Sequence, residues 1–380
     1  MKKTDKAPQS GQQPLALLGG ISAETFLAEY WQKKPLLIRG AIPDFAGLLS
    51  PDELAGLACE DDVQARLVSQ VKGQWRLRQG PFSEEVFARL PQKNWTLLVQ
   101  GVNHHLSEAT DLLQQFSFIP HARLDDLMVS YAPSGGGVGP HFDSYDVFLL
   151  QGQGSRLWRI SEQRDLAIVE GAPLRILQQF DTSQEWVLEA GDMLYLPPHL
   201  AHWGIAVGDC MTYSIGFRAP SAQELGTEFL AYLQERCSLQ GMYADPDLTV
   251  QAHPAEIDMS MLNKVAGMLA PLRWHEEDIA HFLGCYLSEP KPHDAPAAMR
   301  PATFAKKLQT RALALDLKTQ MLFFRDALFI NGEEVKMEAA SRTLLITLAD
   351  RRHIASQAIT DPDLLSLLHD WYQSGYVEFV

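Results

Sequence analysis

The amino-acid sequence predicts a mainly β core, followed by a helical region and a small α+β module at the C-terminus. Three observations support this order. Between about residues 127 and 217, short apolar or alternating runs are separated by Gly- and Pro-rich turns, a pattern typical of a β-sandwich or barrel. From residue 219 onward, apolar residues recur at helical spacing. The last eighty residues combine two helical stretches with strand-like runs around an Asn331-Gly332 hairpin turn, as in a winged helix.

The segment before the β-rich part is expected to start with a flexible tail over residues 1–20, because its first residues are polar and rich in lysine. A helix capped by Ser22 should run to about Lys33. A second helix should begin at Ser50, where a Ser-x-x-Glu capping box precedes apolar residues. Residues 21–218 are then expected to form one domain.

The rest of the chain is expected to divide into a helical bundle over 219–295 and a winged-helix-like domain over 296–380. A Pro- and Ala-rich stretch around residue 295 indicates the linker between them. Winged helices often bind DNA, but residues 301–380 carry 9 Lys and Arg against 10 Asp and Glu. Because DNA binding depends on clustered basic side chains, a structural or protein-contact role is favoured.

Composition excludes several classes of protein. Hydrophobic residues make up 46% of the chain and charged residues 21%, as in globular proteins with a sizeable core. No apolar run reaches the length of about 18 residues that a transmembrane helix needs, and the polar start lacks the features of a signal peptide. The four cysteines are scattered, so neither structural zinc nor a disulfide framework is expected. The reducing cytoplasm is the expected setting.

The net charge of −15 argues against a nucleic-acid partner, since phosphate backbones are bound by clustered Lys and Arg. An acidic surface fits a basic partner better, because opposite electrostatic potentials favour encounter. Simple solubility explains the same charge equally well.

The residues that suggest chemistry lie in the segment 135–143 and just after the proline pair 197–198. His141 and Asp143 are two positions apart, so on a strand their side chains point to the same face. That pair alone is a weak signal. A histidine that returns to the same barrel mouth after the prolines would complete two imidazoles and a carboxylate, the facial triad that holds Fe(II) in oxygenases.

Two histidines, His199 and His202, follow the prolines. His202 is favoured, because the Pro-Pro-x-x-x-His spacing is similar to that of cupin-type oxygenases. The alternative role for His199 is that of a turn residue at the barrel mouth. The glycine run over 135–139 lacks the Gly-Lys-Ser/Thr ending of a phosphate loop. It is expected instead to let a substrate backbone approach the metal closely.

An oxygenase of this kind needs an electron-donating cosubstrate. If that cosubstrate is 2-oxoglutarate, an arginine fork should hold its far carboxylate. Arg156 and Arg159 lie on one predicted strand and face opposite ways, so one of them is expected to point inward. Two surface arginines fit the spacing equally well.

Segments across nearly the whole chain resemble the Jumonji-C ribosomal oxygenases of the cupin superfamily. The matching segments are residues 30–36, 50–58, 94–100, 125–130, 135–148 and 213–220. The resemblance implies a double-stranded β-helix as the catalytic core, a helical dimerisation region and a C-terminal winged helix. It implies Fe(II)- and 2-oxoglutarate-dependent hydroxylation of an arginine side chain in a basic large-subunit ribosomal protein. The enzyme would be a cytoplasmic homodimer that binds neither membrane nor nucleic acid.

The resemblance also implies roles for single residues. Fe(II) would be held by His141, Asp143 and His202. Arg156 would hold 2-oxoglutarate, with Ser130 on a neighbouring strand as a further contact.

Two more residues, Tyr145 and Asp146, lie beside the metal-binding segment and are expected to position the target side chain. Two alternatives to the arginine hydroxylase remain open. One is another cupin enzyme, such as a histidine-directed ribosomal protein hydroxylase. The other is a non-enzymatic protein that uses the winged helix on DNA.

Overall fold

The structure, a computed structural model, describes residues 11–292 and 296–380. It divides into two compact units, Met1–Ala219 and Pro220–Val380. The break between them lies next to the one expected at residue 218. The further division expected near residue 295 falls at residues outside the described ranges, within the second unit, and stays a prediction.

The first unit is built mainly from antiparallel strands. Its described strands are β1 (Leu36–Ile38), β2 (Ala65–Val71), β3 (Gln74–Gln79), β4 (Trp95–Val99), β5 (Leu124–Ala132), β6 (Val147–Gln151), β7 (Ser155–Ser161), β8 (Gln184–Leu188), β9 (Met193–Leu196), β10 (Ala201–Val207) and β11 (Cys210–Phe217). Its described α-helices are α1 (Ala23–Glu29), α2 (Pro51–Leu57), α3 (Glu84–Ala88) and α4 (Ser107–Gln114).

Two sheets form this unit. The larger one has the strand order β1-β9-β6-β11-β5-β4-β2-β3, and the smaller one has the order β10-β7-β8. Val147, Leu149 and Leu194 of the larger sheet share a buried cluster with Trp158 and Ile160 of the smaller one. The two sheets therefore face each other across an interior, as the expected double-stranded β-helix requires.

The outer face of the larger sheet carries the main hydrophobic core. Phe148 and Tyr195 project from it and pack against Phe26 of α1, with ring centroids 5.4 and 5.0 Å away. α1 begins where the sequence predicts, because the Ser22 side chain accepts a hydrogen bond from the backbone N–H of Thr25. The helices thus cover one face of the sheet and leave the other face for the interior.

The tail expected over residues 1–20 needs correcting at its C-terminal end. Residues 1–10 lie outside the described residues, but Leu17 and Leu18 are buried in the main core. Their segment turns back so that Pro14 pairs with Ser22. Two consecutive leucines bury enough apolar surface to fix a segment whose composition is otherwise polar.

The second unit begins with helices and ends with a mixed module. Its described helices are α5 (Ala222–Arg236), α6 (Met259–Leu269), α7 (Glu276–Leu287), α8 (Pro301–Leu308), α9 (Arg342–Arg351) and α10 (Pro362–Gln373). Its described strands are β12 (Leu313–Leu315), β13 (Met321–Phe324), β14 (Ala327–Ile330), β15 (Glu333–Lys336), β16 (His353–Ile354) and β17 (Val377–Phe379). They form two small sheets, β13-β14-β15 and β16-β12-β17.

The hairpin expected at Asn331-Gly332 joins β14 to β15. Both residues have positive φ angles, 47° and 82°, as a tight two-residue turn between strands requires. α7 packs on this hairpin, where Gly284 approaches the Phe329 ring so closely that no side chain would fit. The helical region and the C-terminal module are therefore in contact through a shared core.

The described helices include none that combines the length and the apolar character needed to cross a membrane. The four cysteines are free thiols, as their spacing predicts.

Candidate active site

The three side chains expected to bind a metal lie together. One ligand atom each of His141, Asp143 and His202 lies within 4.8 Å of the others. The Nε2 atom of His202 is 3.6 Å from Oδ2 of Asp143, and the two imidazole centroids are 4.2 Å apart. Among the residues that the structure describes, no second cluster of His, Cys, Asp or Glu has this geometry.

Backbone hydrogen bonds hold the two histidines next to each other. The backbone N–H of His141 donates to the carbonyl of His202 at 3.0 Å, and the N–H of His202 donates back at 2.8 Å. Each Nδ1 is 2.9 Å from a backbone carbonyl, of Gly139 for His141 and of Leu200 for His202. Since a carbonyl only accepts, both Nδ1 atoms carry the proton, which leaves each Nε2 lone pair free for a metal.

Burial, together with the nearby His141, lowers the pKa of His202 to about 4. Its imidazole is therefore neutral at pH 7, which is the form that coordinates a metal. Two imidazoles and one carboxylate match the donor set that binds Fe(II) and leaves positions for other ligands. The residues present thus fit the expected metal.

His199 does not join the cluster. Its φ angle is 63°, so it occupies a left-handed turn position, and its backbone N–H donates to the carbonyl of Asp143 at 2.7 Å. Through this bond the turn after the proline pair is attached to the segment that carries Asp143. The structure therefore places His199 in the alternative role that the sequence suggested for it.

Arg156 and Arg159 point to opposite sides of β7, as expected. Arg159 pairs with Glu185 at 2.9 Å on the outside of the sheet. Arg156 is 5% exposed, and its Nε and Nη2 atoms are buried without a hydrogen-bond partner. A buried, unpaired guanidinium is costly, so its presence indicates a site for an anion such as a carboxylate.

The strand register places Arg156 on the same inner wall as the metal-site histidine. β7 pairs with β10 so that Arg156 lies opposite Ala206 and Ile160 lies opposite His202. Arg156 and His202 are therefore separated along the wall by the pair of Trp158 and Gly204. A dicarboxylate that contacts both Arg156 and the metal cluster would extend along this wall past Trp158.

Ser130 faces the interior from the larger sheet. It is 5% exposed on β5, and its neighbour Val129 projects into the outer core instead. The Ser130 hydroxyl donates to the backbone carbonyl of Thr212 on β11, at 3.5 Å. The structure thus brings Ser130 to the inside of the core, on the wall that faces the strand of Arg156.

Tyr145 lies beside the metal cluster and is 41% exposed on its other side. Its hydroxyl lies near the Asp143 carboxylate. Partial burial of this hydroxyl, followed by the negative charge of Asp143, raises the pKa of Tyr145 above its ordinary value. The phenol consequently stays protonated at neutral pH, and its ring is partly exposed beside the cluster.

Asp146 lies elsewhere. It is fully buried under the outer core, where its Oδ1 accepts from the Tyr195 hydroxyl at 2.6 Å. Its Oδ2 accepts from Gln32 at 2.9 Å and from Arg123 at 3.5 Å. Because both oxygens are occupied, this geometry gives a substrate role for Asp146 no support and indicates a structural one, which attaches the end of α1 to the sheet.

The glycine run serves the protein's own backbone rather than a substrate. The backbone of Gly135 donates to Ala206 of β10, and Ala206 donates back to Gly136, both at 2.9 Å. A side chain at Gly136 would overlap the carbonyl of Trp95, and one at Gly137 would overlap the carbonyl of Gly204. The glycines therefore let this segment fit between two strands on its way to His141.

Comparison with known proteins identifies the family. Residues 111–225 match the JmjC domain, and residues 271–378 match the ROXA-like winged helix. The chain is 36% identical to the ribosomal protein uL16 3-hydroxylase of Escherichia coli over 367 residues, which cover 92% of this chain and 96% of that protein. This chain belongs to the JmjC ribosomal oxygenases.

Solved structures and a second relative agree with this assignment. The X-ray structure of E. coli YcfD has a TM-score of 0.84 and 35% identity, covering 94% of this ribosomal oxygenase and 98% of that chain. A structure of the E. coli ribosomal oxygenase YcfD in complex with cobalt and 2-oxoglutarate has a TM-score of 0.80 and 34% identity, covering 94% and 97%. A probable ribosomal oxygenase of Haemophilus influenzae is 40% identical over 255 residues, covering 66% of this chain and 61% of that protein. The expected catalytic core and winged helix are confirmed.

Sequence reasoning missed two residues of this ribosomal oxygenase's inner wall, Trp158 and Gly204. The alternation along β7 carried the signal, since Trp158 is two positions from Arg156 and shares its face. Gly204 could not be found in the same way. Only the strand pairing shows that it lies against the Trp158 ring, where a Cβ atom would be 2.7 Å from a ring carbon.

Proposed function

We propose that this ribosomal oxygenase is an Fe(II)- and 2-oxoglutarate-dependent hydroxylase of an arginine side chain in a basic large-subunit ribosomal protein. The observation that supports it best is the combination of the His141–Asp143–His202 cluster with the unpaired guanidinium of Arg156 on the same inner wall. The similarity to a uL16 3-hydroxylase supports the counterpart of uL16 as the substrate.

In this proposal His141, Asp143 and His202 hold the metal. With Fe(II) bound, O2 would be the oxidant and 2-oxoglutarate the electron donor, so that one oxygen atom of O2 is placed on a side-chain carbon and the other in succinate, with release of CO2. The chain's own task is to hold both groups in place. The Nδ1 hydrogen bonds orient each imidazole.

Arg156 would bind the far carboxylate of 2-oxoglutarate. Its Nε and Nη2 atoms offer two parallel donors, which suits bidentate recognition of a carboxylate. Ser130 would line the opposite wall of the same interior. The apolar side chains between the sheets exclude water, which strengthens this charge-assisted contact.

The target side chain would approach from the exposed side of Tyr145, the residue that lies next to Asp143 without being buried. A guanidinium can stack on an aromatic face, and it can donate hydrogen bonds to a carboxylate that orients it. Tyr145 is therefore the substrate-positioning residue of the pair named in the sequence analysis.

An incubation with Fe(II), 2-oxoglutarate and the purified ribosomal protein, followed by tandem mass spectrometry, tests the proposal. One added oxygen atom on an arginine is expected. The same oxygen on a histidine would favour the histidine-directed alternative, and an unmodified protein would contradict both. The variants His141→Ala and Arg156→Met should abolish turnover, whereas Arg159→Met, which changes the outward-facing arginine of the same strand, should keep it.

We also propose a homodimer formed through the helical region. In α6, Met259, Leu262 and Leu269 are 65%, 53% and 50% exposed. Leu262 and Leu269 are seven residues apart and share one face of the helix. Exposed apolar faces of this kind mark interaction sites, and a second copy of the chain presents the same face.

The cytoplasm is the proposed location, because the four free thiols suit a reducing compartment and the proposed substrate is a ribosomal protein. Direct nucleic-acid binding is not part of the proposal. The near balance of acidic and basic residues in 301–380 supports protein contacts for the winged helix.

A further inference from the structure

Two neighbouring side chains on the inner wall of the core have polar atoms that nothing in the protein satisfies. Within residues 11–292 and 296–380, the buried side-chain nitrogen atoms without a hydrogen-bond partner are Nε and Nη2 of Arg156 and Nε1 of Trp158. Arg156 is 5% exposed and Trp158 is 4% exposed, so bulk water does not reach these atoms freely. An unsatisfied buried N–H group is rare in native proteins, and its presence points to a ligand.

The two residues face the same space. They are two positions apart on β7 and lie opposite Ala206 and Gly204 of β10. The guanidinium carbon of Arg156 is 5.8 Å from the Trp158 ring. The same ring lies 6.0 Å from the imidazole of His202, on its other side. Trp158 is therefore the residue between the anion-binding arginine and the metal cluster.

Gly204 of β10 leaves the space that the Trp158 ring occupies. A Cβ atom at position 204 would come within 2.7 to 3.0 Å of three carbon atoms of the indole. The absence of a side chain thus lets the six-membered part of the indole approach β10 closely. The other members of its cluster, among them Leu149, Leu188 and Leu194, are apolar and offer no hydrogen-bond acceptor.

We propose that Trp158 is a second donor to the cosubstrate: its indole N–H donates to the carboxylate of 2-oxoglutarate that Arg156 binds. A carboxylate has two oxygen atoms with about four lone-pair positions, so it can accept from a guanidinium and from an indole at once. This inference rests on the proposed function. In addition to that function, it assigns a specific role to the indole N–H of Trp158, which selects a carboxylate next to Arg156.

The test uses the full chain loaded with Zn(II), which is redox-inert, and isothermal titration calorimetry with 2-oxoglutarate. Trp158→Phe keeps an aromatic ring but removes the N–H. We expect it to bind 2-oxoglutarate roughly tenfold more weakly or worse, as for the loss of a hydrogen bond to a charged group. Its affinity for Zn(II) should stay unchanged. Trp203→Phe is the matched control, since Trp203 is next to His202 but lies on the other face of β10, against Phe180.

A second readout addresses the N–H itself. In a nitrogen-labelled sample, the indole resonance that is absent from Trp158→Phe should move on addition of 2-oxoglutarate to the wild-type protein. If Trp158→Phe does not fold, the resonance is assigned by changing the other tryptophans one at a time. Gly204→Ala, which displaces the ring, should weaken 2-oxoglutarate binding in the same direction.

The outcomes are distinct. A variant that binds 2-oxoglutarate within twofold of wild type, with an indole resonance that does not move, would overturn the role of Trp158 and leave the proposed function intact. That is the result expected if ordered water alone satisfies the indole. A wild-type protein that binds no 2-oxoglutarate would overturn the proposed function and this inference with it.

Discussion

At the scale of single residues, the choice between the two histidines after the proline pair has a direct consequence. His202→Ala should abolish binding of Co(II), because it removes one of three converging ligands. His199→Gly should retain full binding, since glycine adopts the φ of 63° found there without strain. Metal content after dialysis, measured by atomic emission, distinguishes the two variants. Equal metal content in both would contradict the assignment.

The sequence predicted most of these residues but not all of their roles. The spacing of His141 and Asp143 is a local pattern, but it indicated a metal site only together with a histidine after the proline pair. Tyr145 and Asp146 were grouped because they are adjacent in sequence. The chain bends at residues 144–145 before β6, and the structure separates the two side chains, with Tyr145 beside the metal cluster and Asp146 under the outer core.

At the scale of secondary-structure elements, Asp192 holds the turn between β8 and β9 against the segment after β1. Its Oδ1 accepts from the N–H of Gly40 at 2.9 Å, and its Oδ2 accepts from the N–H of Glu189 at 3.0 Å and from Arg39 at 2.5 Å. Burial acts to raise the pKa of Asp192, but these hydrogen bonds outweigh it, so the pKa is lowered below its ordinary value.

Asp192→Asn should therefore lower the free energy of unfolding at pH 7 by about 1–3 kcal/mol, the usual contribution of hydrogen bonds to a charged group. A lowered folded-state pKa means that this contribution is complete above the unfolded pKa of about 4 and is lost as the pH falls through the folded value. Denaturant unfolding of wild type and Asp192→Asn at pH 7 and pH 3 measures this difference in the free energy of unfolding.

The difference between wild type and Asp192→Asn should shrink at the lower pH. Glu170→Gln, a change at an exposed carboxylate, serves as the control and should differ little from wild type at either pH. A difference between wild type and Asp192→Asn that stays constant with pH would show that the charge of Asp192 is not what stabilises the turn.

Elements with local signals were predictable, and elements set by distant partners were not. Both hydrogen bonds of the capping box at Ser50 are formed. A tight turn at Lys72 and Gly73, both with positive φ, joins β2 to β3. In contrast, strand β4, which ends at Val99, has no such local signal for its C-terminal end. Its length depends on pairing with β2 and β5, which no pattern within the segment encodes.

At the scale of the whole molecule, the proposed dimer gives the first prediction. Replacing Leu262 and Leu269 together by glutamate should convert the dimer to a monomer, because it places charges on the exposed apolar face of α6. Glutamate keeps the helix propensity high. Light scattering after size-exclusion chromatography measures the mass. A control with glutamate at Val207, an exposed residue of β10, should stay dimeric, and a double variant that stays dimeric would contradict the proposed interface.

The net charge of −15 gives a second prediction for the whole molecule. If electrostatic attraction promotes the encounter with a basic ribosomal protein, kcat/KM for that protein should fall several-fold as salt increases through about 0.1 M, where the screening length is about 10 Å. For a short substrate peptide without the basic flanking sequence, kcat/KM should change little. If kcat/KM fell equally with salt for both substrates, the negative net charge would have no role in substrate encounter and would serve solubility alone.

The sequence predicted the boundary after residue 218 from a change in texture, because strands and helices have different periodicities. It did not predict that Leu17 and Leu18 belong to the core. A pair of leucines in a polar segment has no periodicity of its own, so its partners can be recognised only in the folded chain.

The reciprocal backbone hydrogen bonds between His141 and His202 have a consequence for how the metal site is assembled. The two imidazoles are brought together by a single antiparallel bridge between the segment of His141 and β10, which is part of the fold itself. Most of the conformational entropy of converging ligands is thus lost during folding and not during metal uptake. Two of the three proposed ligands are thus positioned by the fold itself, and metal uptake should require little further ordering of either imidazole.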